Sequence, residues 1–310
     1  MKNPVKVILA LLPSLLFCSC LDAAASPEAA VNMLTLKDTS PPVLLSAQAK
    51  DERTACLVFD EEVFALETSF EGMNAYSQGN TLYVNSGQLI SAGSSTEICG
   101  SVRDSCGNTT TFKVLVWGIN PSPAGLKINE FTTKGSKTQP DRTELKVNRA
   151  GNIAGMVLYD GIPGDYRARF IFPSADVVQG DFVTIWWCDE LPSGVKVKDG
   201  KKLNYAAGGG LSENNGIMCL GISPAQGAAV MDCVIWSSGE STQYEGYGTK
   251  EVLERVNVAL DNQWWSGSPV YSGWSTSTRS MALDSNGVWY TTVQGGLSFG
   301  EENLSDAYSR

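Results

Sequence analysis

Apolar and polar residues alternate in short runs through most of this chain, each run bounded by Gly, Pro, Asn, Asp or Ser. Residues 54–60 are β-rich, 80–84 alternate, 98–103 lead into the turn-forming Asp104-Ser105-Cys106-Gly107-Asn108, and 109–117 alternate strongly. Strands recurring every 8–15 residues or so, with no long helical stripe among them, predict a β-sandwich. After the Pro-bearing stretch 119–124, a stiff linker, a second series follows at 126–131, 142–147, 152–160, 169–173 and 182–187. A hairpin over 217–222 and 229–236 then turns at Ser223-Pro224-Ala225-Gln226-Gly227. One segment has helical spacing: Val252, Leu253, Val256, Ala259 and Leu260 share a stripe behind Thr249, a fair N-cap, with Glu251 in the first turn. The chain is therefore read as all-β, two sandwiches in tandem, the second carrying one short inserted helix.

The first twenty residues follow another pattern. Lys2 and Lys6 precede an apolar run over 7–17, broken only by Pro13 and Ser14 and ending at Cys18-Ser19-Cys20. About eleven residues are too few for a helix to span a bilayer, which needs ~20, so the run reads as a secretory signal. Residues 21–37, rich in Ala, Ser and Pro, read as a flexible tether.

A net charge of −10, from 23 basic and 33 acidic residues, argues against nucleic acid as a partner. The chain contains no histidine, which excludes Ser-His-Asp and Cys-His nucleophiles and His-based zinc sites. Carboxylate or lysine mechanisms survive. The acids Asp60-Glu61-Glu62 and Asp189-Glu190 follow strands, and Asp160 and Asp165 bracket a turn; all read as solvated acids at strand ends. None of these spacings matches a dense calcium loop, and Gly208-Gly209-Gly210 lacks the Lys-Ser/Thr of a phosphate loop. No catalytic residue, metal site or cofactor is expected. Asn129 and Glu130 read as strand-start residues held by capping or turn hydrogen bonds. Of Trp186-Trp187, neighbours on a strand, one belongs in the core.

Six cysteines remain beyond the leader: Cys56, Cys99, Cys106, Cys188, Cys219 and Cys233. Cys219 and Cys233 flank the hairpin turn and are the candidates for a disulfide, although buried free thiols also serve as small apolar residues. Trp264, Trp265 and Trp274, in a Ser/Gly-rich loop after the helix, are the candidate binding residues. They would stack on sugar rings or on a partner's apolar surface; alternatively they cap the sandwich end.

Three resemblances add to this reading. The apolar run ending at cysteine resembles a bacterial lipoprotein signal, whose cysteine receives acyl chains such as palmitate and becomes the new N-terminus. Cys20, preceded by small Ser19, is preferred over Cys18 for lipidation. Phe17 and Cys18 stand where that signal usually has Leu and a small residue. The alternative is an ordinary secreted protein cleaved near Ala23-Ala24-Ala25. Residues 38–118 resemble a bacterial immunoglobulin-like domain in the Asp38-x-x-Pro41-Pro42 opening, the strand closing on Phe59-Asp60-Glu61-Glu62-Val63, and the Val102-Arg103-Asp104-x-x-Gly107-Asn108 corner. Residues 125–303 resemble a lamin-tail domain in Ile128-Asn129-Glu130, Thr143-Glu144-Leu145, Ile153-Ala154-Gly155-x-x-Leu158-x-Asp160 and the closing 279–303 with Trp289; 304–310 is a tail. The family usually has Trp where this chain has Arg142 or Met156. Together the resemblances imply an exported protein, lipid-anchored on the periplasmic or surface face of a bacterial membrane. They imply a non-catalytic binding, adhesion or scaffolding role toward a surface protein or glycan. The alternative is an accessory or carboxylate-based hydrolase, because such domains accompany exported nucleases and glycan-active enzymes.

Overall fold

The computed structural model describes residues 38–309; the leader, Cys18, Cys20 and the segment 21–37 lie outside the described residues. The first sandwich is built from β1 (Leu44–Ala49), β2 (Thr54–Phe59), β3 (Phe64–Ala65), β4 (Asn74–Gln78), β5 (Thr81–Asn85), β6 (Ser95–Arg103) and β7 (Thr109–Trp117). One sheet runs β1-β2-β5-β4 and the other β3-β6-β7. The period-2 alternation does the sorting. Ala55, Leu57 and Phe59 of β2 are buried while Thr54, Cys56 and Val58 are only half-buried, and Leu82, Val84, Ile98 and Val102 meet them from the neighbouring and facing strands. At the β6–β7 corner Asp104 is buried and accepts from the Asn108 backbone N–H at 2.8 Å and its side-chain amide at 2.6 Å.

The second sandwich has more strands: β8 (Gly125–Thr132), β9 (Arg142–Arg149), β10 (Gly151–Asn152), β11 (Val157–Ile162), β12 (Asp165–Ile171), β13 (Asp176–Val177) and β14 (Phe182–Trp186). It continues with β15 (Lys198–Asp199), β16 (Lys202–Ala206), β17 (Asn215–Gly221), β18 (Val230–Ser237), β19 (Val270–Tyr271), β20 (Met281–Leu283) and β21 (Trp289–Thr291). A seven-stranded sheet, β15-β16-β14-β9-β8-β20-β21, packs on a five-stranded one, β12-β11-β17-β18-β19. Between them lies a core containing Ile128, Phe131, Leu145, Leu158, Ile185, Trp187, Val234 and Trp236. Each fully buried large side chain contributes roughly 1.5–3 kcal/mol. Trp187 is the core member of the Trp pair; its Nε1 donates to Thr143 Oγ1 at 2.9 Å.

The helix α1 (Lys250–Asp261) opens as its sequence predicts, with Thr249 Oγ1 accepting from the Val252 N–H. Val256 and Ala259 of α1 cover the outer face of the five-stranded sheet, against Tyr159, Ile217, Cys219, Cys233 and Ile235. The middle strands of that sheet are thus covered on both faces. In β11 all six residues are buried, Leu158 facing the inner core and Val157 and Tyr159 facing the helix. The whole protein is all-β, two sandwiches in tandem with this one α-helix among the described residues.

Residues from Pro41 onward form one compact unit, and the 119–124 linker lies along the second sandwich. Asn120 Nδ2 donates to the carbonyls of Asn152 and Ala154 at 2.7 and 3.0 Å, and Asn152 exchanges backbone bonds with Ser122 and Ala124. The two sandwiches touch where Gly93 meets Gly155. Both have positive φ, and a Cβ at Gly155 would lie 2.8 Å from the Gly93 nitrogen. Beside this contact the Arg169 guanidinium lies 5.7 Å from the Trp117 ring.

Candidate functional site

Helix α1 ends at Asn262, and Gln263 takes a left-handed φ of 58° that turns the chain sharply back. The Trp264 N–H then bonds to the Ala259 carbonyl at 2.9 Å, laying the following residues against the sheet end. Trp264 and Trp265 are half-buried on the cluster beneath the helix, and Trp265 also reaches the inner core. From the opposite sheet, Trp289 of β21 is half-buried with its ring edge-on to Phe131 at 5.3 Å. The three indoles line an open cleft of about 450 Å³, together with Lys127, Asp232, Ser266 and Ser268.

Asp232 lies on the inward-facing register of β18, near the end of the hairpin. Its Oδ2 accepts the Ile128 N–H at 2.8 Å, across the sandwich at a register shift in β8, and its Oδ1 accepts the Cys233 N–H at 3.0 Å. Burial pushes this carboxyl up, while those two amides and the nearby Lys127 ammonium pull it back. Trp265 Nε1 is buried with no hydrogen-bond acceptor. A second hollow of about 330 Å³ adjoins the cleft, since Lys127, Leu283 and Gly287 line both. It adds Asn129, Lys146, Asn148 and Asn303.

The structure thus brings Trp264 and Trp265 together and leaves Trp274 out. Trp274 is half-buried elsewhere, edge-on between Tyr271 at 5.0 Å and Tyr308 at 5.6 Å. Trp289, Lys127 and Asp232 complete the cleft. No local pattern marks them as site residues, because β8, β18 and β21 meet there only in three dimensions.

Asn129 and Glu130 differ from the sequence-based expectation. They do not cap a strand start but lie buried well inside β8, with Glu130 in register with Glu144 of β9. Both glutamates are 0% exposed, on the outer face of the seven-stranded sheet, where the segment after β21 folds back over them. Glu130 accepts from the hydroxyls of Ser280 and Ser298 and the Ser298 N–H. Glu144 accepts from Asn129 Nδ2 at 2.9 Å and from the Gly300 N–H. Burial raises both carboxyls, that of Glu144 to about 8. Beside them the Arg142 guanidinium sits between the rings of Trp186 and Phe299 at 4.8 and 4.2 Å. Arg142 therefore occupies an aromatic slot of its own, and Asn303 closes the seal by bonding the carbonyls of Asn129 and Leu283.

The other acids are spent on the fold or face solvent. Asp160 is gripped by Arg167 Nε and Nη2 at 2.9 and 2.6 Å, Asp165 pairs with Arg255 at 2.6 Å, and Asp60 accepts the Val43 N–H at 2.7 Å. Asp189 and Glu190 are exposed. Cys219 and Cys233 are direct partners across the β17–β18 hairpin, with sulfurs 3.4 Å apart and both thiols free. Burial beneath α1 pushes the Cys219 thiol well above its ordinary range.

Comparison with known proteins places this geometry. The family model TP_1001_2nd, described as a protein second domain, matches residues 124–293, more than half of the chain. The chain belongs to this family. The matched span contains the strands of the second sandwich, helix α1 and the three indoles of the cleft. It stops short of Ser298, Gly300 and Asn303, which seal the glutamate pair. An uncharacterized protein of Treponema pallidum (strain Nichols) is 30% identical over 99 residues, covering 30% of this chain. The chain matches about a quarter of that relative, 25% of its length. No solved structure matches the chain.

Proposed function

We propose that the protein is an exported, lipid-anchored, non-catalytic binding module of a bacterial cell envelope, held to the membrane through Cys20. In this reading residues 38–118 are a bacterial immunoglobulin-like spacer and 125–303 a lamin-tail-like domain that presents the binding site. The observation that carries it is the tryptophan cleft. Three half-buried indoles beside polar and charged groups make an open hollow, and large aromatics in such settings supply most of the energy of recognition. Rigid strands and a docked helix hold its walls, as a preformed site requires.

A carboxylate hydrolase needs two carboxyl groups facing each other across a cleft that admits substrate, about 5–10 Å apart. Glu130 and Glu144 are paired but covered by residues 298–303, and Asp160 is neutralised by Arg167. This favours binding over hydrolysis.

Two measurements test the reading. Cys20→Ser should release the protein from membranes or leave it unprocessed; continued membrane attachment with incorporation of labelled fatty acid would refute the anchor. Ser266→Trp, which fills the cleft from an exposed position, should abolish crosslinking of the protein to envelope components in intact cells. Unchanged crosslinking would place the binding surface elsewhere.

A further inference from the structure

The cleft and the adjoining hollow share one wall, so a ligand spanning both would meet aromatic rings at one end and polar side chains at the other. We propose that together they form a single groove for an uncharged oligosaccharide chain. This deepens the binding reading above and rests on it.

The chemistry of the lining selects the ligand class. A sugar ring presents a C–H face that packs flat on an indole and a rim of hydroxyls that both donate and accept hydrogen bonds. Trp264, Trp265 and Trp289 offer the first surface. Asn148 in the hollow and Ser266, Ser268 and Ser285 along the groove are exposed and carry both donors and acceptors, matching the second. At about 450 and 330 Å³ the two hollows exceed a single ring and suit a linear chain of several.

Two rival ligands fit less well. An extended peptide would need an open strand edge, and β21 is partly closed: the Tyr308 N–H bonds to the Thr291 carbonyl at 2.8 Å and Thr292 bridges Ala307. A polyanion meets Asp232, Asp284 and Glu302 in the groove and a chain of net charge −10. Lys146, the groove's second cation, is already paired with Glu302 at 2.5 Å. The lining therefore favours an uncharged chain.

The test uses the full chain in a detergent that carries no sugar headgroup, titrated calorimetrically with cellotetraose, maltotetraose and the tetramer of N-acetylglucosamine. Tetragalacturonate serves as the charged comparison. At least one uncharged tetramer should bind with a dissociation constant below about 1 mM. It should bind at least tenfold more tightly than its monosaccharide and than tetragalacturonate. Ser266→Trp and the exposed Asn148→Ala should each weaken binding tenfold or more at unchanged melting temperature. The inference is overturned if no uncharged tetramer binds, if tetragalacturonate binds as well, or if both variants bind normally. Loss of envelope crosslinking in Ser266→Trp without any tetramer binding would remove the sugar and leave the binding cleft. Persistence of crosslinking in that variant would remove both.

Discussion

Glu144 shows what one residue's environment can do. A carboxylate opposite another carboxylate in an antiparallel pair is destabilising when both are charged. Here the charge is avoided rather than paired: burial first, and Glu130 next to it, hold the Glu144 carboxyl protonated up to about pH 8, while the Gly300 and Asn129 hydrogen bonds pull the other way. An acid whose folded pKa lies above its unfolded value binds more protons when folded. Its contribution is therefore complete below the unfolded pKa, about 4.5, and is lost as pH rises toward 8. Gln keeps the shape and removes the charge, but it retains only one of the two acceptor oxygens, which costs about the same at every pH. Relative to the parent, Glu144→Gln should therefore gain about 2–4 kcal/mol between pH 5 and pH 8.5 in urea unfolding; a stability difference that is the same at both pH values would show that Glu144 is ionised in the folded state. The cysteine pair obeys the same logic of burial. Cys219 and Cys233 should resist alkylation in the folded protein while exposed Cys99 reacts within minutes, read by mass spectrometry of digests. Rapid labelling of Cys219 would mean that α1 does not stay docked over it.

At the scale of elements, the helix decides what the five-stranded sheet can be. Without α1 the apolar outer faces of β11, β17 and β18 would meet water. Removing its cap by Thr249→Ala should cost about 1 kcal/mol. Ala259→Glu, which forces a charge into the helix–sheet contact, should cost about 3 kcal/mol or more and expose Cys219 to alkylation. Stability unchanged by Ala259→Glu would argue that the helix contributes nothing to the sheet beneath it. These elements also show where a sequence can be read and where it cannot. Strand β2 was legible because its short β-rich run is bounded by polar turn residues, and Ala55, Leu57 and Phe59 then take the core face. The helix was legible from its stripe and cap. Its docking place was not, because the apolar start of β11, Val157-Leu158-Tyr159, is equally compatible with any second cover. Asn129 and Glu130 misled for a related reason. Their partners Ser298 and Asn303 lie 168 and 174 residues away, and no local pattern carries a contact of that span. The Trp264-Trp265 pair stood out by composition alone, whereas Trp289 looked like any strand aromatic until the two sheets brought it opposite them.

For the whole molecule the question is whether two sandwiches with separate cores behave as one body. Each core is closed on itself: Phe59 and Phe112 anchor the first, Trp187 and Trp236 the second, and no buried residue belongs to both clusters. They meet at the Gly93–Gly155 contact and the Arg169–Trp117 stack, and Gln48, Ala49 and Trp117 of the first face Ile222, Ser223 and Ala225 of the second across a shared hollow. The linker is unequal in its loyalties. Ala124 is fully buried in the second core, and Asn120 satisfies two carbonyls there. A cut made after residue 124 would therefore injure the second sandwich, and a cut made before residue 119 would spare it. Fragments 38–118 and 119–310 should each fold alone, with mostly β circular dichroism and a cooperative urea transition. Fragment 125–310 should fold less stably than 119–310 by about 2–4 kcal/mol, the worth of the few hydrogen bonds and the apolar contact it loses. If 119–310 fails to fold while the intact chain unfolds in a single transition, the seam at Gly93 and Gly155 is an integral part of one extended domain. If instead 125–310 matches 119–310, the linker only spans the gap and adds nothing to the sandwich it lies along.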